Sequence, residues 1–129
     1  MYKYNQYMHY FDRWMTNREH NLWIADYLRN HDAPSVAVYG CGMLGRHLIW
    51  ELNEKNYPIA WIMDKSGNSI AGVNKTVGLG DIDKVDKVGL IIVTAMADYE
   101  EIEMLLCSYG AGRPIGLDEL INTIHGGVN

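Results

Sequence analysis

The sequence predicts a three-layer α/β domain on a parallel sheet of about five strands, order 3-2-1-4-5, with an N-terminal helical extension. Three observations predict it. Short apolar runs rich in Val and Ile alternate with segments of helical period. One run, Ser35-Val36-Ala37-Val38-Tyr39, leads straight into Gly40-Cys41-Gly42-Met43-Leu44-Gly45, and that loop opens directly onto a helical pattern. The chain has 129 residues, the usual size of one domain.

The elements follow in order. Residues 1–33 read as a helical extension and residues 34–129 as the α/β domain. Tyr4, Tyr7, Met8, Phe11 and Met15 fall at helical spacing and predict one apolar stripe. Thr16-Asn17-Arg18-Glu19 has the S/T-x-x-E pattern. It predicts a second helix from near Asn17 to near Asn30, carrying Leu22, Trp23, Ala25, Tyr27 and Leu28. Residues 35–39 are the first strand. Residues 43–55 form a helix with Leu44, Leu48, Ile49 and Leu52 on one face. A second strand, 58–63, ends at Asp64. Residues 65–74, rich in Gly, Ser and Asn, read as a loop. Residues 75–79 are a weak third strand, and 81–86 at most a helical turn. Residues 88–94 are the strongest strand. Residues 99–109 form a helix with Ile102, Leu105 and Leu106 inward, its start capped by Asp98 with Glu101. A last strand (113–116) and a last helix (118–124) complete the pattern.

Composition excludes several functions. The net charge is −5 and the eleven Lys and Arg are scattered, which argues against a nucleic-acid or anionic-membrane surface. The two cysteines, Cys41 and Cys107, form no CxxC pair, as expected for a reducing cytoplasm. The five histidines include no i, i+4 pair, so no metal site is expected. The first residues lack the pattern of a signal peptide. The longest apolar stretch, around 88–97, is roughly half of a membrane span.

The glycine loop carries the chemistry. Gly40 permits a tight turn, Gly42 lets backbone approach a pyrophosphate, and Gly45 lets the helix pack close to the strand. The helix N-terminus presents N–H groups and partial positive charge to phosphate. Asp64 stands about 20 residues past the loop, where an acidic side chain takes a ribose hydroxyl pair, with Lys65 beside it. A ligand would lie where the strand order reverses, which makes Thr94 and Ala95 the second wall. The bland alternatives are that the glycines only make a βα turn, that Asp64 starts a turn, and that Thr94 only ends its strand. Cys41 sits at a helix N-terminus, which lowers thiol pKa. It is either a reactive thiol or, more simply, a small side chain that the loop requires. His47 is placed on the outer face of its helix with Met43, Trp50 and Glu54. No Tyr-x-x-x-Lys pair, Gly-x-Ser-x-Gly elbow or Gly-Lys-Ser/Thr occurs, so the chain is not expected to be an enzyme on its own.

Val36 through Gly45, then Trp61-Ile62-Met63-Asp64-Lys65, resembles the small Rossmann-like domains of bacterial surface-polysaccharide biosynthesis proteins. These occur alone, beside glycosyltransferases, or at the front of sugar O- and N-acyltransferases. Leu90-Ile91-Ile92-Val93-Thr94, Asp98-Tyr99-Glu100-Glu101-Ile102 and Ile115-Gly116-Leu117-Asp118-Glu119-Leu120 extend the resemblance. It implies a site for NAD or a nucleotide-sugar at Gly40, Gly42, Gly45 and Asp64. The chain lacks the acyltransferases' hexapeptide repeats, and it has Met43-Leu44-Gly45 where their loops often end in Gly-His-Gly. The expected site therefore comprises Gly40, Cys41, Gly42, Met43, Leu44, Gly45, Asp64, Lys65, Thr94 and Ala95. The expected function is a cytoplasmic, NAD-like nucleotide-binding accessory or regulatory domain in carbohydrate metabolism. The alternatives are a UDP-sugar module serving an enzyme on another chain, or a degenerate Rossmann domain used for protein contact. Four Trp and nine Tyr are more than such a domain readily buries, so a homodimer or a partner protein is expected on the N-terminal helices.

Overall fold

β1 (Val36–Tyr39), β2 (Ile62–Asp64), β3 (Thr76–Gly78), β4 (Leu90–Val93) and β5 (Arg113–Gly116) make one parallel sheet. Its order is β3-β2-β1-β4-β5, as the sequence predicts. The computed structural model describes residues 4–31, 33, 35–65 and 76–126. The expected loop at 65–74 and Pro34 lie outside these, apart from Lys65, which is a turn at the end of β2. β1 is central: Val38 faces Ile62 on one side and Ile92 on the other.

Both faces of the sheet are covered, which is why β1 and β4 are apolar without alternation. On one face Val36, Val38, Ile62, Leu90 and Ile92 pack under α3 (Met43–Glu54) and α5 (Leu117–His125). On the other, Ala37, Tyr39, Met63, Ile91 and Val93 pack under α4 (Tyr99–Tyr109) and a 3-10 turn at Leu79–Lys84. α5 has only nine residues, too short to be stable alone. Leu117, Leu120, Ile121 and Ile124 hold it, each worth about 1.5–3 kcal/mol on burial.

The N-terminal helices depart from expectation. α1 runs Tyr4–Glu19, straight through the predicted capping box, and α2 is confined to Ile24–Asn30. The box loses to a stronger stop. Asn21 adopts a left-handed φ of 59°, Asn21 N–H donates to Arg18 O, and Leu22 N–H donates to Asn17 O at 2.8 Å. This Schellman closure ends α1 at Glu19, the last residue of the box. α3 ends the same way at Asn56, with Tyr57 N–H on Leu52 O, and α4 at Gly110, with Ala111 N–H on Leu106 O.

The buried face of α1 is also rotated from the predicted stripe. Trp14 and Asn17 are fully buried, while Tyr4 and Met8 are exposed. A buried carboxylate explains the rotation. Glu51 of α3, wholly inaccessible, accepts from Trp14 Nε1 at 3.0 Å, Arg18 Nε at 2.8 Å and Ile24 N at 2.7 Å. Glu51 thus fastens α1 and caps α2 at once. The Arg18 guanidinium lies over the rings of Trp14, Trp23 and Trp50, 5.0–5.4 Å from their centroids. Asn17 donates to Ile121 O at 3.3 Å and pairs with His125 at 2.8 Å. α1 and α2 therefore rest on α3 and α5. Of the aromatic residues invoked for a partner surface, Trp14 and Trp61 are buried, Tyr7, Tyr10, Phe11, Trp23 and Tyr27 are half-buried, and Tyr4 and Trp50 are exposed.

The expected cap at α4 is not made. Asp98 offers no side-chain bond to the helix, whose first turn is prepared by a 3-10 segment, Met96–Asp98. No described helix is long and apolar enough to cross a membrane.

Candidate functional site

After β1 the chain turns into α3 on one face, and after β4 into α4 on the other. The strands' carboxyl ends are left open between them. A cleft of about 670 Å³ occupies that opening, within the usual range of small-molecule sites. Gly40, Cys41, Gly42, Met43, Leu44, Gly45, Asp64, Lys65, Thr94 and Ala95 all line it.

The three glycines have different reasons to be glycine. Gly40 has φ +110°, and a methyl there would collide with Thr94 Oγ1 and lie 3.4 Å from Ala95 N. A methyl on Gly45 would overlap the carbonyl oxygen of Gly40 and sit 2.8 Å from its carbon. Both are demanded by the fold. Gly42 is not: φ is −74°, and a methyl there would meet nothing within 4 Å. It is the helix cap residue, makes no side-chain cap, and lines the cleft. The N–H groups of the first turn of α3, which has no acidic side chain, lie beside it.

Neighbouring contacts brace this loop. Gly40 N–H donates to Met63 O at 2.7 Å, tying β1 to β2. Asp64 Oδ1 accepts from Cys41 N–H at 3.1 Å, so the acidic residue touches the loop itself. Thr94, buried, donates its hydroxyl to Tyr39 O at 2.9 Å, which commits that proton to holding β4 against β1.

Cys41 does not have a lowered pKa. Burial, and then the Asp64 charge, push its thiol up to about 11. Two pH units above its ordinary value of 9.0 mean about a hundredfold less thiolate at neutral pH. Iodoacetamide at pH 7.5 should therefore label exposed Cys107 first and Cys41 far more slowly, read by peptide mass spectrometry. Equal rates would contradict this environment. His47 is likewise an internal contact. Its ring lies 5.2 Å from Phe11, and burial, then Arg18 and Arg46, lower its pKa.

The structure adds lining residues that the sequence pattern does not flag. Tyr7 enters from α1, and its hydroxyl accepts from Ala97 N–H at 3.2 Å, bracing the loop after β4. Leu79, Ile102, Met104 and Leu105 form an apolar wall. Tyr39, Asp98, Glu101 and Ser108 complete the lining, in which Lys65 is the sole basic residue among those described. The i, i+3 pair Asp98 and Glu101 was legible, but as a helix cap. Nothing in the sequence foretells Tyr7, because its contact spans ninety residues. Among the described residues no cluster of His, Cys, Asp and Glu could hold a metal ion.

Comparison with family models, with curated proteins and with solved structures gives no match.

Proposed function

We propose that this chain is a cytoplasmic nucleotide-binding module, NAD-like in preference, which serves as an accessory or regulatory domain rather than as an enzyme on its own. The observation that carries the reading is Gly42. Packing and backbone geometry account for Gly40 and Gly45, whereas the absent side chain of Gly42 leaves open only the cleft. Space for close backbone approach, beside the N-terminus of a twelve-residue helix, is what a pyrophosphate requires. Asp64 beside the loop suits an unphosphorylated ribose, and the apolar wall from Leu79 to Leu105 suits a base. The place in carbohydrate or surface-polysaccharide metabolism rests on the motif resemblance alone.

Calorimetric titration with NAD, NADP and UDP-sugars tests this. NAD should bind, and more tightly than NADP, whose 2′-phosphate would meet Asp64. Gly42→Val should abolish binding with native circular dichroism and a stability loss within about 1 kcal/mol, because the position is an open helix cap. Unchanged affinity in that variant would refute the loop assignment. UDP-sugar binding without NAD binding would favour the nucleotide-sugar reading.

A further inference from the structure

Tyr39 is the last residue of β1 and directly precedes the glycine loop. Its side chain is almost fully buried, at 3% exposure, yet it lines the cleft. Its hydroxyl has no hydrogen-bond partner among the described residues. The other buried aromatic polar groups are satisfied. Tyr57 OH donates to Ala33 O at 2.9 Å, Trp61 Nε1 to Asp86 O at 2.8 Å, and Trp14 Nε1 to Glu51. Arg18 Nη2 is the buried side-chain nitrogen or oxygen without a partner among the described residues, so the Tyr39 hydroxyl is not sealed in the core but reaches the open space of the cleft, where a ligand can meet it.

We propose that Tyr39 is a ligand-contacting residue whose hydroxyl donates to the sugar hydroxyls of an unphosphorylated ribose in this cleft, alongside Asp64. The inference rests on the nucleotide reading above and adds to it a residue and a ligand chemistry. The phenol is pushed up in pKa by burial first, then by the charges of Asp64, Asp98 and Glu101. It therefore stays protonated and donates. The three carboxylates only accept. A ligand group among them must accept from the phenol and donate to carboxylates. A sugar hydroxyl does both. A phosphate there accepts but is repelled by three like charges, so phosphate belongs instead at Gly42 and the first turn of α3, which has no acidic side chain.

The test is Tyr39→Phe, which removes one oxygen. The variant should melt, without ligand, at the wild-type temperature, since the hydroxyl bonds to no described residue and is open to the cleft. Its affinity for NAD should fall roughly tenfold, the loss of one hydrogen bond to the ligand. Unchanged stability with weakened binding is what a structural tyrosine does not give. Tyr57→Phe, which breaks the bond to Ala33 O, should do the reverse: lower melting, unchanged affinity. Wild-type NAD affinity in Tyr39→Phe would overturn the inference and leave the nucleotide reading standing. Absence of any nucleotide binding by the wild-type chain would overturn both.

Discussion

Gly45→Ala is expected to remove most of the stability of this chain, although it adds a single methyl to a helix. Alanine is the better helix former, so local propensity alone favours the substitution by about 1 kcal/mol. The packing reverses that. The new carbon would overlap the carbonyl oxygen of Gly40 and come within 3.1 Å of Thr94 Oγ1. Neither neighbour can yield. Gly40 is held through its N–H to Met63 O, and Thr94 through two bonds to Tyr39 O, one from its N–H and one from its hydroxyl. α3 would have to lift from β1, exposing Leu44, Leu48 and Leu52. Overpacking against fixed backbone costs about 3 kcal/mol or more, which for a domain of this size lowers the melting temperature by on the order of 10 °C. Thermal denaturation followed by circular dichroism measures it. A melting temperature within a degree or two of wild type would mean that the helix can shift freely, and the distinction drawn between Gly45 and Gly42 would fall.

Glu51→Ala should be comparably severe, for a different reason. Removing the carboxylate strands three donors at once: Trp14 Nε1, the N-terminal N–H of α2 at Ile24, and the Arg18 guanidinium. Arg18 already holds one buried nitrogen, Nη2, without a partner. Breaking a buried pair from one side costs about 3–5 kcal/mol, since a charge is left without compensation. Glu51→Gln should recover only part of this, because it keeps the volume and removes the charge. The double variant Arg18→Met with Glu51→Leu should recover more than either, since the three tryptophans around Arg18 offer an apolar lining. Chemical denaturation of the three variants beside the wild type reads the series. A double variant no more stable than Glu51→Ala would show that the charge is not what holds the helices.

What the sequence revealed was whatever is written in local period. β1 and β4 announce themselves as apolar runs because both faces of a parallel sheet are covered. The glycine loop is legible because turn, close approach and packing each need glycine within six residues. α4 and β5 appear where the pattern places them. The errors have two causes, a local turn and long-range contact. The boundary between α1 and α2 was misplaced because a left-handed Asn21 outweighs a capping-box pattern. The buried face of α1 was misjudged because Trp14 turns toward Glu51, a carboxylate 37 residues away that Trp14 and Arg18 enclose. In the site, the loop and Asp64 were legible as spacing, while Tyr7 and Tyr39 emerge only from the fold.

The packing of α1 on α5 has a consequence for synthesis. Arg13 bonds to Asn122, and Asn17 to Ile121 and His125, so α1 is held by a helix translated about a hundred residues after it. Central β1 likewise waits for β4, more than fifty residues later in the chain. Neither partner can be recruited early, and contacts of such span are slow to form. While translation proceeds, α1 can meet α3 through Trp14 and Glu51, but the side of it that rests on α5 must remain uncovered and exposed to other nascent chains. That side is a hazard during elongation, and a ribosome stalled before residue 117 would hold it out without the helix that closes it.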